Sequence, residues 1–498
     1  MTFFINNKIF LFILLLMLLF FGSLSSCNDE LFTEDPAKTL RFSTDTLTFD
    51  TVFTSYGSTT EKILVYNPHN RALNISSIEL ANGANSMFRL NVDGEENAEN
   101  TFRDIKISAK DSMYVFVEVT VNPNNTDSPV LIEDAIVFNT NGKSQSVTLE
   151  AFGQDVILMK NKLIINDSTL KEGKPYLVYG YLAIDSAKTL TLEPGCRLYF
   201  HNNANMMVYG NLIADGTFEK PITLRGDRLD KLKYKDTEES QYVYVPYNYI
   251  AGQWGGLYLL WKNGNHSLKH VNITSGYVGI YYVNTDRSTL PMLTITNCRL
   301  HNFVYYGLVA QNGNVQVNNS EISNTGSYSV YLNGGKHEFL QSTIANFYNS
   351  NRFEPTSRDK GPAVMIMGLN RSAIMETVFK NCIITGGQAN ELSIATRFLA
   401  DINADFSHNF IRRKTNYELS QFKNTVWYEE KDSILFKTQR YEDLKNKYYN
   451  FMPDSLSAVR GIADPAVAQQ FPVDLNGNNR LMDGSPDAGA YEWVPLHR

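Results

Sequence analysis

The residues of this 498-residue chain best equipped for chemistry fall into three groups. The first is aromatic. Trp254, Tyr258 and Trp261 lie in one short stretch, with Tyr242 and Tyr244 in a tyrosine-rich segment before them. Ring faces of this kind stack on flat apolar surfaces, sugar rings included, so these five are candidate ligand-binding residues. Packing of Trp254 against the tyrosine-rich segment as a local core is the competing reading. The second group sets a base beside a cation, as a polysaccharide lyase requires: Lys269 with His270, and Arg299 with His301. The third is carboxylate chemistry. An inverting hydrolase needs two carboxylates ~6.5–9.5 Å apart, and after Asn284-Thr285-Asp286 no Asp-Asp pair follows. No catalytic residue is assigned.

Metal and cofactor chemistry lack a motif. Asp474-x-Asn476-x-Asn478 has the start of a calcium loop, but Asn479 stands where the loop needs Gly and Ser485 where it needs Glu. A structural network of Asp474, Arg480 and Asp487 is the expectation instead. Net charge is −7, without a basic footprint, so nucleic acid is not an expected partner.

The elements that must position these residues are read from a repeat. Leu268-Lys-His-Val-Asn-Ile, Ile295-Thr-Asn-Cys-Arg-Leu, Val317-Asn-Asn-Ser-Glu-Ile, Phe339-Leu-Gln-Ser-Thr-Ile and Phe379-Lys-Asn-Cys-Ile-Ile align. Their sixth positions, Ile273, Leu300, Ile322, Ile344 and Ile384, are 27, 22, 22 and 40 residues apart. A period of this size marks a solenoid. First and sixth positions are apolar, and Val271, Cys298, Ser320, Ser342 and Cys382 are small, the pattern of inward side chains on short strands. His270, Asn297, Asn319, Gln341 and Asn381 interrupt the alternation. They read as a bend between two strands, where stacked amides bond from row to row. Helices of ten or more residues do not fit between these marks. Cys298 and Cys382, about three rows apart at ~4.8 Å each, are too distant for a disulfide. The expectation is a parallel β-helix.

Ahead of the repeat, Lys8 and the apolar run Ile9–Phe21 suit a signal h-region, too short to span a bilayer. Leu24-Ser25-Ser26-Cys27 resembles the lipobox of bacterial lipoproteins, which implies cleavage of residues 1–26, lipidation of Cys27 and a membrane partner through the acyl chains. Asn28-Asp29-Glu30 resembles the acidic export signal of Bacteroidetes surface lipoproteins. Residues 27–43 read as a tether. Over 44–155, strand-length runs at Thr46–Phe53, Lys62–Tyr66, Met113–Val121, Ala135–Phe138 and Ser146–Phe152 alternate with turns such as Asn122-Pro123-Asn124-Asn125. An antiparallel sandwich is expected there, and the region resembles the immunoglobulin-like modules of Bacteroidetes surface proteins. Residues 156–498 form the β-helix with its C-terminal cap and tail. Leu192-Glu-Pro-Gly195, Gly210-Asn-Leu-Ile-Ala-Asp-Gly-Thr217 and Gly252-Gln-Trp-Gly-Gly256 are similar to right-handed β-helix proteins of the pectin-lyase-like superfamily. Pro486-Asp-Ala-Gly-Ala-Tyr-Glu492 resembles an anchor-type tail of such proteins. Asn284-Thr285-Asp286 resembles the first acidic motif of polygalacturonase-type hydrolases, with Arg287 in place of their Gly. Seven Asp-Ser/Thr tripeptides, from Asp45 to Asp454, resemble the O-glycosylation sequon of Bacteroidetes exported proteins, and equally suit turns.

The fold class expected is therefore all-β: an immunoglobulin-like sandwich followed by a right-handed parallel β-helix. The function expected is that of a lipid-anchored, outer-membrane, surface-exposed protein that binds a polysaccharide or another surface without catalysis. The alternative is a polysaccharide lyase or glycoside hydrolase on the same scaffold.

Overall fold

The computed structural model describes residues 31–235, 242–260, 264–284, 292–348, 358–359, 361–368, 375–395, 403–414, 417, 420–429, 435–438 and 449–495. Cys27, the signal-like segment and Trp261 lie outside them, as do Asp286 and Arg287. The chain is all-β, with long parallel sheets. It divides into two compact units, one taking the chain to Asn122 plus Leu131–Phe152, the other Pro123–Val130 plus the chain from Gly153.

The first unit holds two five-stranded sheets around one apolar core. Strand Ser112–Val119 shows why: Met113, Val115, Val117 and Val119 are buried and alternate with outward residues. It pairs antiparallel with Glu61–Tyr66 and Phe88–Val92. In the other sheet Leu73–Leu80 pairs antiparallel with Thr101–Ile107 and with Val130–Thr140. Leu73–Leu80 carries no clean alternation, and its register with Val130–Thr140 skips between Ile75 and Ser77. Within the stretch read as a tether, Phe32 bridges to Ala72 and Arg41–Phe42 pairs with Val65–Tyr66.

The second unit is built of an 18-stranded and a ten-stranded sheet, with parallel pairing throughout their described ladders. Successive turns of chain contribute three short strands each, for example Asn314–Asn318, Glu321–Thr325 and Val330–Asn333. The aligned repeat positions stand in register. Leu268 pairs with Ile295, Ile295 with Val317, Val317 with Phe339 and Phe339 with Phe379. Ile273, Leu300, Ile322, Ile344 and Ile384 form the parallel inward column. Both columns are sealed in one core. The register continues past the fifth repeat, Phe379 pairing with Phe406 and Phe406 with Phe422. Phenylalanine rings stack along this column at centroid distances of 4.5, 5.3 and 4.6 Å.

The bend column is left-handed in every row: His270, Asn297, Asn319, Gln341 and Asn381 have φ between 46° and 56°. Asn and His tolerate this conformation better than most side chains. Asn319 donates to Asn297 Oδ1 at 2.8 Å and Asn381 to Gln341 Oε1 at 2.9 Å. The small column has a second task besides size. The amide of Val271 donates to Cys298 Sγ at 3.4 Å, that of Cys298 to Ser320 Oγ at 3.0 Å, and that of Ser320 to Ser342 Oγ at 3.2 Å. At a bend the backbone amide leaves the sheet ladder, and the Ser or Cys of the next row supplies its acceptor. Cys196, Cys298 and Cys382 are free and buried.

Candidate functional site

Trp254 is not available to a ligand. The chain re-enters the ladder there after the hairpin Lys231–Lys235 and Tyr242–Pro246, and an isolated bridge to Gly276 fixes the backbone. The indole is 0% exposed, stacks on Phe200 at 4.3 Å and donates its Nε1–H to Thr274 O at 2.8 Å. The ligand assignment is thus corrected: the indole is sealed in the interior, stacked on Phe200 with its N–H bonded to backbone. Tyr244 is exposed on the hairpin opposite Lys233. The side chain of Tyr242 lies outside the described residues, as does Trp261. Tyr258 belongs to strand Gly256–Leu260, where Leu257 and Leu259 point inward and Tyr258 outward.

Tyr258 opens a longer aromatic surface. In register it is flanked by Met207 on one row and Tyr281 on the next; two rows further stands Tyr331, then Met365. The Tyr258 and Tyr281 rings lie 5.9 Å apart. Tyr306 stacks on Tyr328 at 6.1 Å and 16°, and Tyr328 meets Tyr331 at 5.8 Å. Tyr305, exposed, joins Tyr306 to Tyr277 with ring centroids at 6.3 and 6.1 Å. The result is a half-exposed band of tyrosines along one side of the ladder, with the buried Val309 between Tyr281 and Tyr331 in the strand column and Tyr305, Tyr306 and Tyr328 beside it. Burial, then neighbouring hydroxyls, raises the phenols of Tyr258, Tyr306 and Tyr331, so they stay neutral donors at physiological pH. Gln311 Nε2 donates to Tyr281 Oη at 3.4 Å and places an amide beside the band. Its sequence signal was the row period itself: Tyr258 to Tyr281 is 23 residues, and Val309 to Tyr331 is 22. Proximity along the chain pointed instead at Trp254.

A second feature is a cavity of about 740 Å³. Its floor is two outward columns of the 18-stranded sheet: Thr223, Asn272, Arg299 and Glu321 in one, Thr274 and His301 in the other. Its walls are Asn248 and Tyr249 on one side and Phe451, Asn476 and Tyr491 on the other. Arg299 and His301, paired in the sequence as a base with a cation, both line it. Arg299 is spoken for: its Nη2 donates to Leu475 O at 2.9 Å and Asn476 Oδ1 at 2.7 Å, and its Nε to Tyr491 Oη at 3.3 Å. Tyr491 Oη in turn donates to Glu321, whose other oxygen accepts from Ser323 at 2.6 Å. Burial, then the Glu321 charge, holds the Tyr491 phenol well above its usual value. Burial lowers the His301 imidazole, keeping it neutral. The other pair divides: Lys269 faces Asp215 at 3.5 Å on the surface, while His270 accepts its place in the bend column 3.1 Å from Asn297.

The tail is held by the same columns. Arg480, 0% exposed, donates to Asn319 Oδ1 at 2.5 Å and lies 3.6 Å from Glu492. Asp474 accepts from the amides of Asn476, Asn478 and Glu492, and Asp487 from those of Gly461 and Trp493. Gln341 donates to Asp487 O and Gly489 O.

No family model matches the chain, and no curated protein matches it. Among the solved structures that align with part of it are two of note. One is a protein of unknown function from Porphyromonas gingivalis W83, 11% identical over 26% of this chain and 60% of that one, with a TM-score of 0.17. The other is a family 123 glycoside hydrolase from Clostridium perfringens, studied for glycolipid glycan hydrolysis, 9% identical over 27% and 30%, also at 0.17. The chain spans less than two thirds of either, and at this score neither carries fold or activity across.

Proposed function

We propose that this chain is a lipid-anchored protein of the outer membrane, exposed at the cell surface, that binds glycan without cleaving it. In this reading Cys27 carries the acyl chains, an immunoglobulin-like unit follows as spacer, and the parallel ladder is a right-handed β-helix that presents the binding face. The observation that carries it is the tyrosine band from Tyr258 to Tyr331. Rows of a parallel sheet repeat every ~4.8 Å, so rings on successive rows offer a sugar chain several stacking platforms with hydroxyl and amide edges alongside. The engagement of Arg299 by the tail supports a non-catalytic reading, since its donors are directed to Leu475, Asn476 and Tyr491.

The test is a glycan array on the full chain in detergent, followed by titration of the best neutral polysaccharide. Tyr258→Ala, Tyr306→Ala and Tyr331→Ala are each expected to weaken binding several-fold, from ~0.5–1.5 kcal/mol per aromatic contact. Unchanged affinity in all three sinks the band as the site. Release of unsaturated product from a uronic-acid polymer, lost in His301→Ala, would establish the lyase alternative instead.

A further inference from the structure

The cavity between Tyr249 and the tail carries charge that its walls do not use. Two guanidiniums, Arg225 and Arg299, line it against one carboxylate, Glu321. Glu321 is taken by Tyr491 and Ser323. Among the described residues Arg225 hydrogen-bonds to backbone alone, through Nε to Gly226 O at 3.2 Å and Nη2 to Arg228 O. The carboxylates nearest it in sequence are occupied: Asp227 by His201 at 2.7 Å, and Asp230 by Arg228 through two bonds. Burial lowers the Arg225 guanidinium from its ordinary value, outweighing the support of Tyr199, Asp230 and Asp227 nearby. Beside it Thr274 Oγ1 is buried with no hydrogen-bond partner among the described residues. Arg225 follows Leu224, which pairs with Ile273, so Arg225 and Thr274 occupy neighbouring rows; Thr274 pairs with His301 on the next. A guanidinium, a hydroxyl and a neutral imidazole therefore stand on three successive rows facing one space. Buried polar groups are normally satisfied, and those left over at the wall of a cavity point to what fills it.

We infer that this cavity is a second ligand site, separate from the tyrosine band, that takes an oxyanion carried on a saccharide. The oxyanion meets Arg225 and the Thr274 hydroxyl. The amides of Asn272 and Asn324 and the rings of Tyr249 and Phe451 suit the hydroxylated and apolar faces of a sugar ring. The saccharide half of this assignment rests on the glycan-binding reading above; the oxyanion half rests on the cavity alone. A carboxylated and a sulfated sugar share the required chemistry.

The test is calorimetric titration of the full chain in detergent with three hexasaccharides of equal length: uncharged, carboxylated and sulfated. Wild type is expected to prefer one or both charged probes, and the preference to shrink as salt rises. Arg225→Gln is expected to lose about tenfold in affinity for the preferred charged probe and nothing for the uncharged one. Arg225→Lys should recover part of the loss, and Thr274→Val should weaken the same probe while leaving thermal unfolding near that of wild type. Tyr331→Ala separates the sites, since it reduces binding of the uncharged probe alone. If wild type binds all three alike or binds neither charged probe, the site does not exist as inferred. A preference kept by both Arg225→Gln and Thr274→Val overturns it equally, and a neutral probe that fails while the charged preference stands condemns the tyrosine band and spares the cavity.

Discussion

Ser320 accepts the amide of Cys298 from the row before and donates its own hydroxyl to Asn318 O at 2.7 Å. Ser320→Ala removes that acceptor from a buried amide and is expected to destabilise by about 1–3 kcal/mol, read from denaturant midpoints. Ser320→Cys, which copies the residue one row earlier, should cost less. Equal losses would show that the column is chosen for volume and not for bonding. Ile322→Asp puts an unpaired carboxylate at a 0% exposed position and should abolish cooperative unfolding. Asn319→Ala is more damaging than an isolated ladder amide suggests, because Asn319 Oδ1 is the acceptor of the fully buried Arg480. Removing it strands a charged donor, so about 3 kcal/mol is expected rather than 1. At this scale the inward columns and the bend were legible in the repeats, since both follow from local alternation, whereas the left-handed backbone at the bend was not. The partners of those side chains were not: the link from Asn319 to Arg480 spans 161 residues, and nothing in either segment announces the other.

Among the elements, the rows beyond Gly386 show how a repeat escapes notice. Phe406-Ser-His-Asn-Phe-Ile411 reads as one strand but is two, Asn403–Ser407 and Phe410–Ile411, with His408 left-handed between them at φ 54°. It is a sixth copy of the pattern, followed by a seventh at Phe422-Lys-Asn-Thr-Val-Trp427, where Asn424 is again left-handed. The irregular lengths of chain between them hid the alignment. The charged stretch 437–450, which reads as lying between coils or capping one end, falls mostly outside the described residues; Phe436–Thr438 pairs antiparallel with Asn450–Pro453. The tail follows a different logic, polar and buried. Glu492 sits beside Asp487 in a dry setting, and burial first, then that neighbour, pushes its carboxyl up to about 8. The folded tail therefore holds a proton that the unfolded tail releases near its ordinary value of 4.5. The stability this proton supplies is complete below that value and is lost as pH rises through about 8. Limited proteolysis of the segment 451–495 should accelerate between pH 5.5 and 8.5, and Glu492→Gln should flatten the dependence. An acceleration on acidification would reverse the assignment.

For the whole molecule, the anchoring proposal predicts that Cys27→Ala moves the protein from membrane to soluble fraction, followed by fatty-acid labelling. Retention in the membrane without label would exclude the lipobox. The remaining thiols give a probe of global unfolding. Burial pushes Cys196, Cys298 and Cys382 each up to about 12, so alkylation at pH 8 should await opening of the ladder and track its unfolding rate. The architecture was readable because it repeats, whereas the tyrosine band and the cavity are assembled only when rows stack. One consequence concerns the order in which the chain can fold. Neighbouring rows join residues about 22 apart, so the ladder can grow by short loop closures. Arg299 meets Asn476 across 177 residues and Gln341 meets Asp487 across 146. Those closures come late, since each carries a larger entropic cost before any contact repays it. Until then the apolar outward patch of Ala345, Ile383 and Phe410, which the tail buries with Leu475 and Ala490, faces solvent on an otherwise finished ladder. That interval is the molecule's window of vulnerability to sticking, and a chain cut after Asn450 would live in it permanently. Such a chain should bind an apolar dye while keeping the β-sheet signal of its rows.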